Sequence, residues 1–154
     1  MNKKVLILDN IRSAHNVGSI FRTADGAGVE KIYLYGYTPA PVDRFGREQA
    51  EIKKTSLGAA NFVEWETVSE QYEVTLAEKL KLAGYEIIVV EQVSGAVEIG
   101  DWKQSEKVAY VLGNEVDGVS EEWLTLCDQV IEIKMLGEKE SLNVSVTAGI
   151  VLFH

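Results

Sequence analysis

The segment HNVGSIFRTADGAG, residues 15–28, sets Asn16, Gly18, Ser19 and Arg22 along one short helical stretch that opens on Asn16. A guanidinium keeps its proton at any physiological pH and presents donors in a planar fork, so Arg22 suits a phosphate or a developing oxyanion. Gly18, one turn away, omits a side chain where such an anion would approach. Two other polar, glycine-bearing segments hold the remaining candidates: LGNEVDGVS (112–120), with Gly113 and Glu115, and MLGEKESLN (135–143), with Ser141 and Asn143. Ser141 stands where a helix should begin and reads as its cap, worth about 1 kcal/mol. Asn143 opens an otherwise apolar helix and has no evident structural reason to be polar. Plainer readings stand beside these: Arg22 on a solvated face, Glu115 as a solvated loop carboxylate.

Other chemistries find little support. Gly26 and Gly28 close a helix and lead into a strand, whereas a dinucleotide fingerprint must follow a strand and open a helix. No GxxxxGK[ST] occurs. Cys127 is the only cysteine, which excludes an internal disulfide and fits a reducing compartment. With only His15 and His154, a histidine-based metal cluster is not expected. The net charge of −9 argues against indiscriminate nucleic-acid binding. It is uneven, however: residues 1–54 carry nine Lys and Arg against six Asp and Glu, and the rest of the chain carries six against eighteen. A mildly basic N-terminal third can present a local phosphate-binding face.

The elements that must position these residues alternate. Apolar runs at 5–9, 31–35, 86–92, 108–112 and 129–134 read as strands, the first four continuous enough to be covered on both faces. Helices are expected at 17–27, 47–57, 72–83, 120–126 and 142–153. In the fourth, Ser120 is the expected cap. The fifth is apolar on nearly every side and should be buried against the sheet, a partner chain or both. Residues 36–47, with both prolines, read as a flexible loop. This pattern predicts one α/β domain over 1–154, a mostly parallel sheet flanked by helices. Ligands of such sheets sit at the carboxyl ends of strands, where all three polar segments fall. No membrane-spanning run is present, and a cytoplasmic protein is expected.

In chain order, NVGSIFR (16–22), VLGNEVDGVS (111–120) and IKMLGEKESLNVSVTAGIVLF (133–153) resemble the three motifs of the SpoU/TrmH branch of the SPOUT methyltransferases. FRTADGAGVEKIYLYG and KTSLGAANFVEW extend the similarity over almost the whole chain. The resemblance implies a deep trefoil knot in the C-terminal part, a rare exception to unknotted folds. It also implies a homodimer, and methyl transfer from S-adenosylmethionine, without a metal, to a ribose 2′-hydroxyl of RNA.

Carried over by position, the motifs make Asn16, Arg22, Glu115, Ser141 and Asn143 catalytic, with Arg22 beside the RNA phosphate and target ribose, and Gly18 giving clearance. Leu112 and Gly113 in the second motif, and Ile133, Met135 and Leu142 in the third, are the implied cofactor-binding residues. The third motif departs from the usual I-P-M at Lys134, which neither fixes the backbone dihedral nor removes a donor as proline would; cofactor affinity is what this puts in question. Arg12, Arg44, Arg47, Lys53 and Lys54 join Arg22 as candidate RNA contacts. Transfer RNA is the expected substrate ahead of ribosomal RNA, by analogy with compact family members. Without an RNA-binding extension, the domain is expected to capture RNA with its catalytic surface, with both protomers, or through an accessory RNA-binding protein. The alternative is a non-catalytic RNA-binding or assembly factor that kept the fold; the acidic balance favours it and the complete set of motif residues opposes it.

Overall fold

A computed structural model describes residues 1–154. Seven strands form one sheet: β1 (Lys3–Asp9), β2 (Lys31–Tyr35), β3 (Glu64–Val68), β4 (Glu86–Val90), β5 (Val97–Glu98), β6 (Lys107–Leu112) and β7 (Gln129–Glu132). Their order is β3-β2-β1-β6-β4-β7-β5, and every neighbouring pair is parallel. Five helices cover it: α1 (Ala14–Gly26), α2 (Ala50–Ser56), α3 (Glu73–Leu82), α4 (Glu121–Leu126) and α5 (Val144–Leu152).

Alternation along the central strands divides the core in two. Leu6, Leu8, Ile88, Tyr110 and Leu112 face Ile20 and Phe21 of α1, Ile52 of α2 and Leu152 of α5. Val5, Ile7, Val89 and Val111 face Leu76 and Leu80 of α3 and Trp123 of α4. The expected three-layer α/β domain is therefore present, and its all-parallel order is compatible with the knot that the resemblance implies. No helix is long and apolar enough to cross a membrane.

The chain builds outward from β1 through β2 to β3, then returns to place β6 on the other side of β1. The sheet thus reverses its winding between β1 and β6, and the segments leaving the carboxyl ends of these two strands meet: Arg12 and Ser13 N–H donate to Glu115, and Asn114 Nδ2 to Asn10 O.

Several expectations need correction. Strands β3 and β5 had not been expected. The β3 run EWETV exposes Glu64 and Glu66 at the sheet edge, where both carboxylates reach Lys31 Nζ at 2.8 Å; polar edge strands lack a continuous apolar signal. Strand β5 has two residues, too few for any period. Strand β4 stops at Val90, so Glu91 and Gln92 belong to the loop beyond it. Helix α1 begins before Asn16, capped by Ser13, whose hydroxyl accepts the Asn16 N–H at 3.1 Å. Ser120 makes no side-chain cap on α4; its N–H donates to the buried Asp9 carboxylate at 2.7 Å and its hydroxyl is buried without a partner. Helix α5 buries Val144, Ala148 and Val151 against the core and leaves Val146 and Ile150 exposed, so a single chain covers only one of its faces and the expected partner chain is left to cover the other. The 36–47 segment is no loose loop: Thr38 is buried at one end and Asp43 organises a tight turn at the other.

Candidate active site

A cavity of about 530 Å³ opens at the carboxyl ends of β4 and β6. Its walls include Leu112, Gly113, Glu115, Ile133, Ser141, Leu142 and Asn143, so seven of the residues singled out in the second and third motifs share one space. Met135 does not line it, nor do Asn16 and Arg22.

The loop after β6 is held with little freedom. Asn114 and Gly118 exchange backbone hydrogen bonds, each at 3.0 Å, closing a tight turn. A Cβ on Gly113 would overlap the backbone of Gly118 and Val119, so only glycine permits this pass. The Asn114 side chain, 7% exposed, accepts from the N–H groups of Val116 (2.7 Å) and Asp117 (2.9 Å). Its amide donates to Asn10 O at 2.8 Å and lies 2.6 Å from the Tyr37 hydroxyl. Glu91 braces the other side, accepting from Val119 N–H (3.0 Å) and Gln92 N–H (2.9 Å). Sequence reasoning passed over both residues. Asn114 stood between two singled-out neighbours, and its burial was the missing signal; Glu91 was absorbed into a strand that ends one residue earlier.

Glu115 connects this turn to the start of α1. Its carboxylate accepts from Arg12 N–H (3.2 Å), Ser13 N–H (3.4 Å) and Asn16 Nδ2 (3.3 Å). Asn16, 8% exposed, in turn accepts from Asn143 Nδ2 at 3.3 Å. A continuous chain Glu115–Asn16–Asn143 therefore spans all three motifs. Partial burial raises the Glu115 pKa, but the hydrogen bonds from its own backbone, Arg12, Asn16 and Ser13 outweigh that and hold it below the ordinary value. A carboxylate so occupied is a poor base and a good brace.

The capping roles at α5 are the reverse of those expected. Asn143 is the cap, its Oδ1 accepting from Ser145 N–H at 2.9 Å and Ser145 Oγ at 2.6 Å. Ser141 lies two residues earlier, exposed on the cavity wall.

Arg22 lies elsewhere. Six residues beyond Asn16, it is turned by roughly 120° and displaced by about 9 Å along the helix. Exposed, it borders a shallow hollow with Ser19, Thr55 and Phe153, sharing no lining residue with the first cavity. The idea that Gly18 clears a path for substrate fails, because Gly18 is buried between helices. A Cβ there would fall on the Thr55 hydroxyl and sit 2.9 Å from Ile52 O, so glycine is required by the contact of α1 with α2.

The remaining basic candidates are all exposed. Arg12 approaches Asp117 at 3.8 Å and Tyr37 Oη at 3.5 Å. Arg47 pairs with Asp43 and Lys53 with Glu48, each at 2.8 Å. Arg44 and Lys54 are exposed. Lys134, at the unusual motif position, pairs with Glu98 of β5 at 2.9 Å and does not line the cavity.

Comparison with known proteins agrees with this geometry. Residues 3–153 match the SpoU rRNA Methylase family. The 23S rRNA (guanosine-2'-O-)-methyltransferase RlmB of Neisseria meningitidis is 38% identical over 150 residues, covering 96% of this chain and 56% of that protein. The chain thus spans little more than half the length of the curated relatives it matches. Among solved structures, the A. aeolicus TrmH/SpoU tRNA modifying enzyme superposes with a TM-score of 0.84 at 28% identity, over 99% of this chain and 73% of that one. An AdoMet-bound rRNA methyltransferase from Sinorhizobium meliloti gives a TM-score of 0.86 at 26% identity, over 98% and 54%. By its three motifs, its parallel sheet and its match along almost the entire chain, the protein belongs to the SpoU rRNA methylase family.

Proposed function

We propose that this protein transfers a methyl group from S-adenosylmethionine to a ribose 2′-hydroxyl of ribosomal RNA. The observation that carries this reading is the gathering of second- and third-motif residues around one cavity, to which the first motif is tied through the Glu115–Asn16–Asn143 chain. The relatives named for 23S rRNA support ribosomal over transfer RNA, and the earlier expectation of transfer RNA gives way to them.

The cavity suits the cofactor. Its walls combine apolar Leu112, Ile133 and Leu142 with the carboxylates of Glu91, Glu115 and Glu140, and include no Lys or Arg. Apolar surfaces match an adenine ring, and the carboxylates favour a ligand carrying sulfonium and ammonium charge. When bound, S-adenosylmethionine supplies an electrophilic methyl group. The protein's own task is then alignment. Gly113, Asn114 and Glu91 fix the cavity's loop before any ligand arrives, so little ordering cost remains for the encounter. Glu115 is a positioning residue: it holds the first turn of α1 and Asn16 toward the cavity. Arg22 anchors an RNA phosphate and stabilises developing negative charge on the ribose oxygen.

Because Arg22 and the cavity lie apart in one chain, we assign the working unit to a homodimer. Val146 and Ile150 of α5 and Phe153, its C-cap, are exposed at i, i+4, i+7, and Phe153 borders the Arg22 hollow. Pairing through this stripe buries it and sets Arg22 at the boundary with the second protomer.

The test is transfer of radiolabelled methyl to separate pools of unmodified ribosomal and transfer RNA, with Arg22→Ala in parallel. Label in an alkali-resistant dinucleotide from ribosomal RNA, lost in the variant, is the expected outcome. Label only in transfer RNA overturns the substrate assignment; cofactor binding with no label in either pool overturns the methyltransferase reading in favour of a non-catalytic role.

A further inference from the structure

Away from the cavity and Arg22, the segment between β2 and α2 carries one more assembled feature. Val42 and Glu48 form an antiparallel bridge, and between them Asp43 N–H donates to Arg47 O at 2.9 Å and Gly46 N–H to Asp43 O at 3.0 Å. The Asp43 carboxylate accepts from Phe45 N–H (2.9 Å), Arg47 N–H (3.0 Å) and Arg47 Nε (2.8 Å). This small hairpin displays Phe45 to solvent, 65% exposed. The guanidinium carbons of Arg44 and Arg47 lie 4.7 and 5.0 Å from its ring centroid.

The foot of the segment is tied to the active-site end of the sheet. Thr38, 5% exposed, accepts from Ile11 N–H at 3.0 Å, and Tyr37 N–H donates to Asn10 Oδ1 at 2.9 Å. The Tyr37 hydroxyl meets Asn114 and Arg12. The hairpin therefore springs from β2 at the same carboxyl edge of the sheet as the cavity, linked to the cavity loop through Tyr37 and Asn114.

Single exposed apolar side chains are ordinary on protein surfaces. Phe45 differs in being fixed by a carboxylate-clamped turn and in carrying two cations over its ring. We propose that Arg44, Phe45 and Arg47 form a stacking platform for an unpaired nucleobase of the RNA; this rests on the RNA methyltransferase reading above. Aromatic rings and guanidinium planes both offer surfaces on which a splayed base stacks, and a base inside a duplex has no free face to offer. The charge of Arg47 is already answered by Asp43, so its contribution is chiefly planar surface, while Arg44 adds attraction for the neighbouring phosphate. Arg44 and Arg47 thus act as parts of one recognition element with Phe45, a residue that a search for cations alone passes over.

The experiment compares wild type, Phe45→Ala and Phe45→Trp for binding an unstructured oligoribonucleotide and the same strand annealed to its complement, across a salt series. Phe45→Ala is expected to weaken binding of the single strand roughly 5- to 150-fold, the loss of one base–aromatic stack. Its salt slope should not change, since no charge is removed. Duplex affinity and S-adenosylmethionine affinity should stay at wild-type values, and Phe45→Trp should bind the single strand at least as well as wild type. Unchanged single-strand affinity in Phe45→Ala, in a protein that methylates RNA, overturns the platform alone. Equal losses for single strand and duplex overturn stacking in favour of a general surface contact. A wild-type protein that binds neither RNA overturns the platform together with the reading beneath it.

Discussion

Asn143 uses the two ends of its amide on different neighbours: Oδ1 caps α5 through Ser145, and Nδ2 donates to Asn16. Those roles separate by substitution. Asn143→Ser keeps an oxygen able to cap but removes the donor, so stability should stay near wild type while methyl transfer falls, by up to about 100-fold if Asn16 drifts by an ångström. Asn143→Ala should lose about 1 kcal/mol of stability as well. Urea midpoints read beside single-turnover rates distinguish the two; a serine variant with wild-type turnover would reduce Asn143 to a helix cap. The same residue shows where sequence reading stopped. SLN at a helix start contains two competent caps, and only backbone geometry decides which one the helix begins on. Asn143 had been singled out because it lacked a structural role; it has one, and its link to Asn16 is what argues for more.

At the scale of elements, β1 and α4 meet through a buried carboxylate. Asp9 ends β1 at 1% exposure and accepts the Ser120 N–H that opens α4, just beyond the cavity loop. Burial raises its pKa; the Ser120 hydrogen bond opposes the shift without cancelling it, and Glu122 and Glu70 add to it. The folded state therefore holds this proton more tightly than the unfolded chain does. As pH rises from the unfolded value of about 3.9 through the raised folded value, stability is lost. Asp9→Asn retains an acceptor for Ser120 and has no charge to bury, so it should be more stable than wild type at neutral pH and lose that advantage below about pH 4. Urea unfolding at both pH values checks this; an asparagine variant less stable at neutral pH would mean that the ionised carboxylate is itself the brace. The elements themselves were legible wherever burial leaves a period. All five strands with apolar runs were found, as were all five helices, because central strands and core-facing helix stripes must be written in apolar residues. Edge strand β3, with Glu64 and Glu66 on Lys31, owes its pairing to neighbours distant in sequence, and no local pattern announces it. Gly18 illustrates the converse: its smallness was visible, but whether it serves a ligand or a helix contact depends on Thr55 and Ile52, more than thirty residues away.

At the scale of the whole molecule, α5 has two apolar faces. Val144, Ala148 and Val151 pack into the core, while Val146, Ile150 and Phe153 form a second stripe facing outward. The nearly all-round apolar character of 142–153 announced both faces, but sequence alone could not say how much the chain would cover by itself. Phe153 shares the outward stripe with the Arg22 hollow, which places the motif-one cation at the surface proposed for dimerisation. If each Arg22 serves the cavity of the other protomer, two differently crippled chains must repair one another. Arg22→Ala lacks the cation and Gly113→Val, whose side chain would collide with the Gly118 backbone, lacks a usable cavity loop. Each alone should be inactive. Mixed and allowed to exchange subunits, they form heterodimers in which one site has lost both contributions and the other has both intact, so part of the wild-type rate returns. Ile150→Glu, which places a charge in the stripe, should yield monomers by light scattering and abolish that recovery. Arg22 acting within its own chain predicts the opposite pattern: in every heterodimer each site keeps one lesion, and mixing restores nothing.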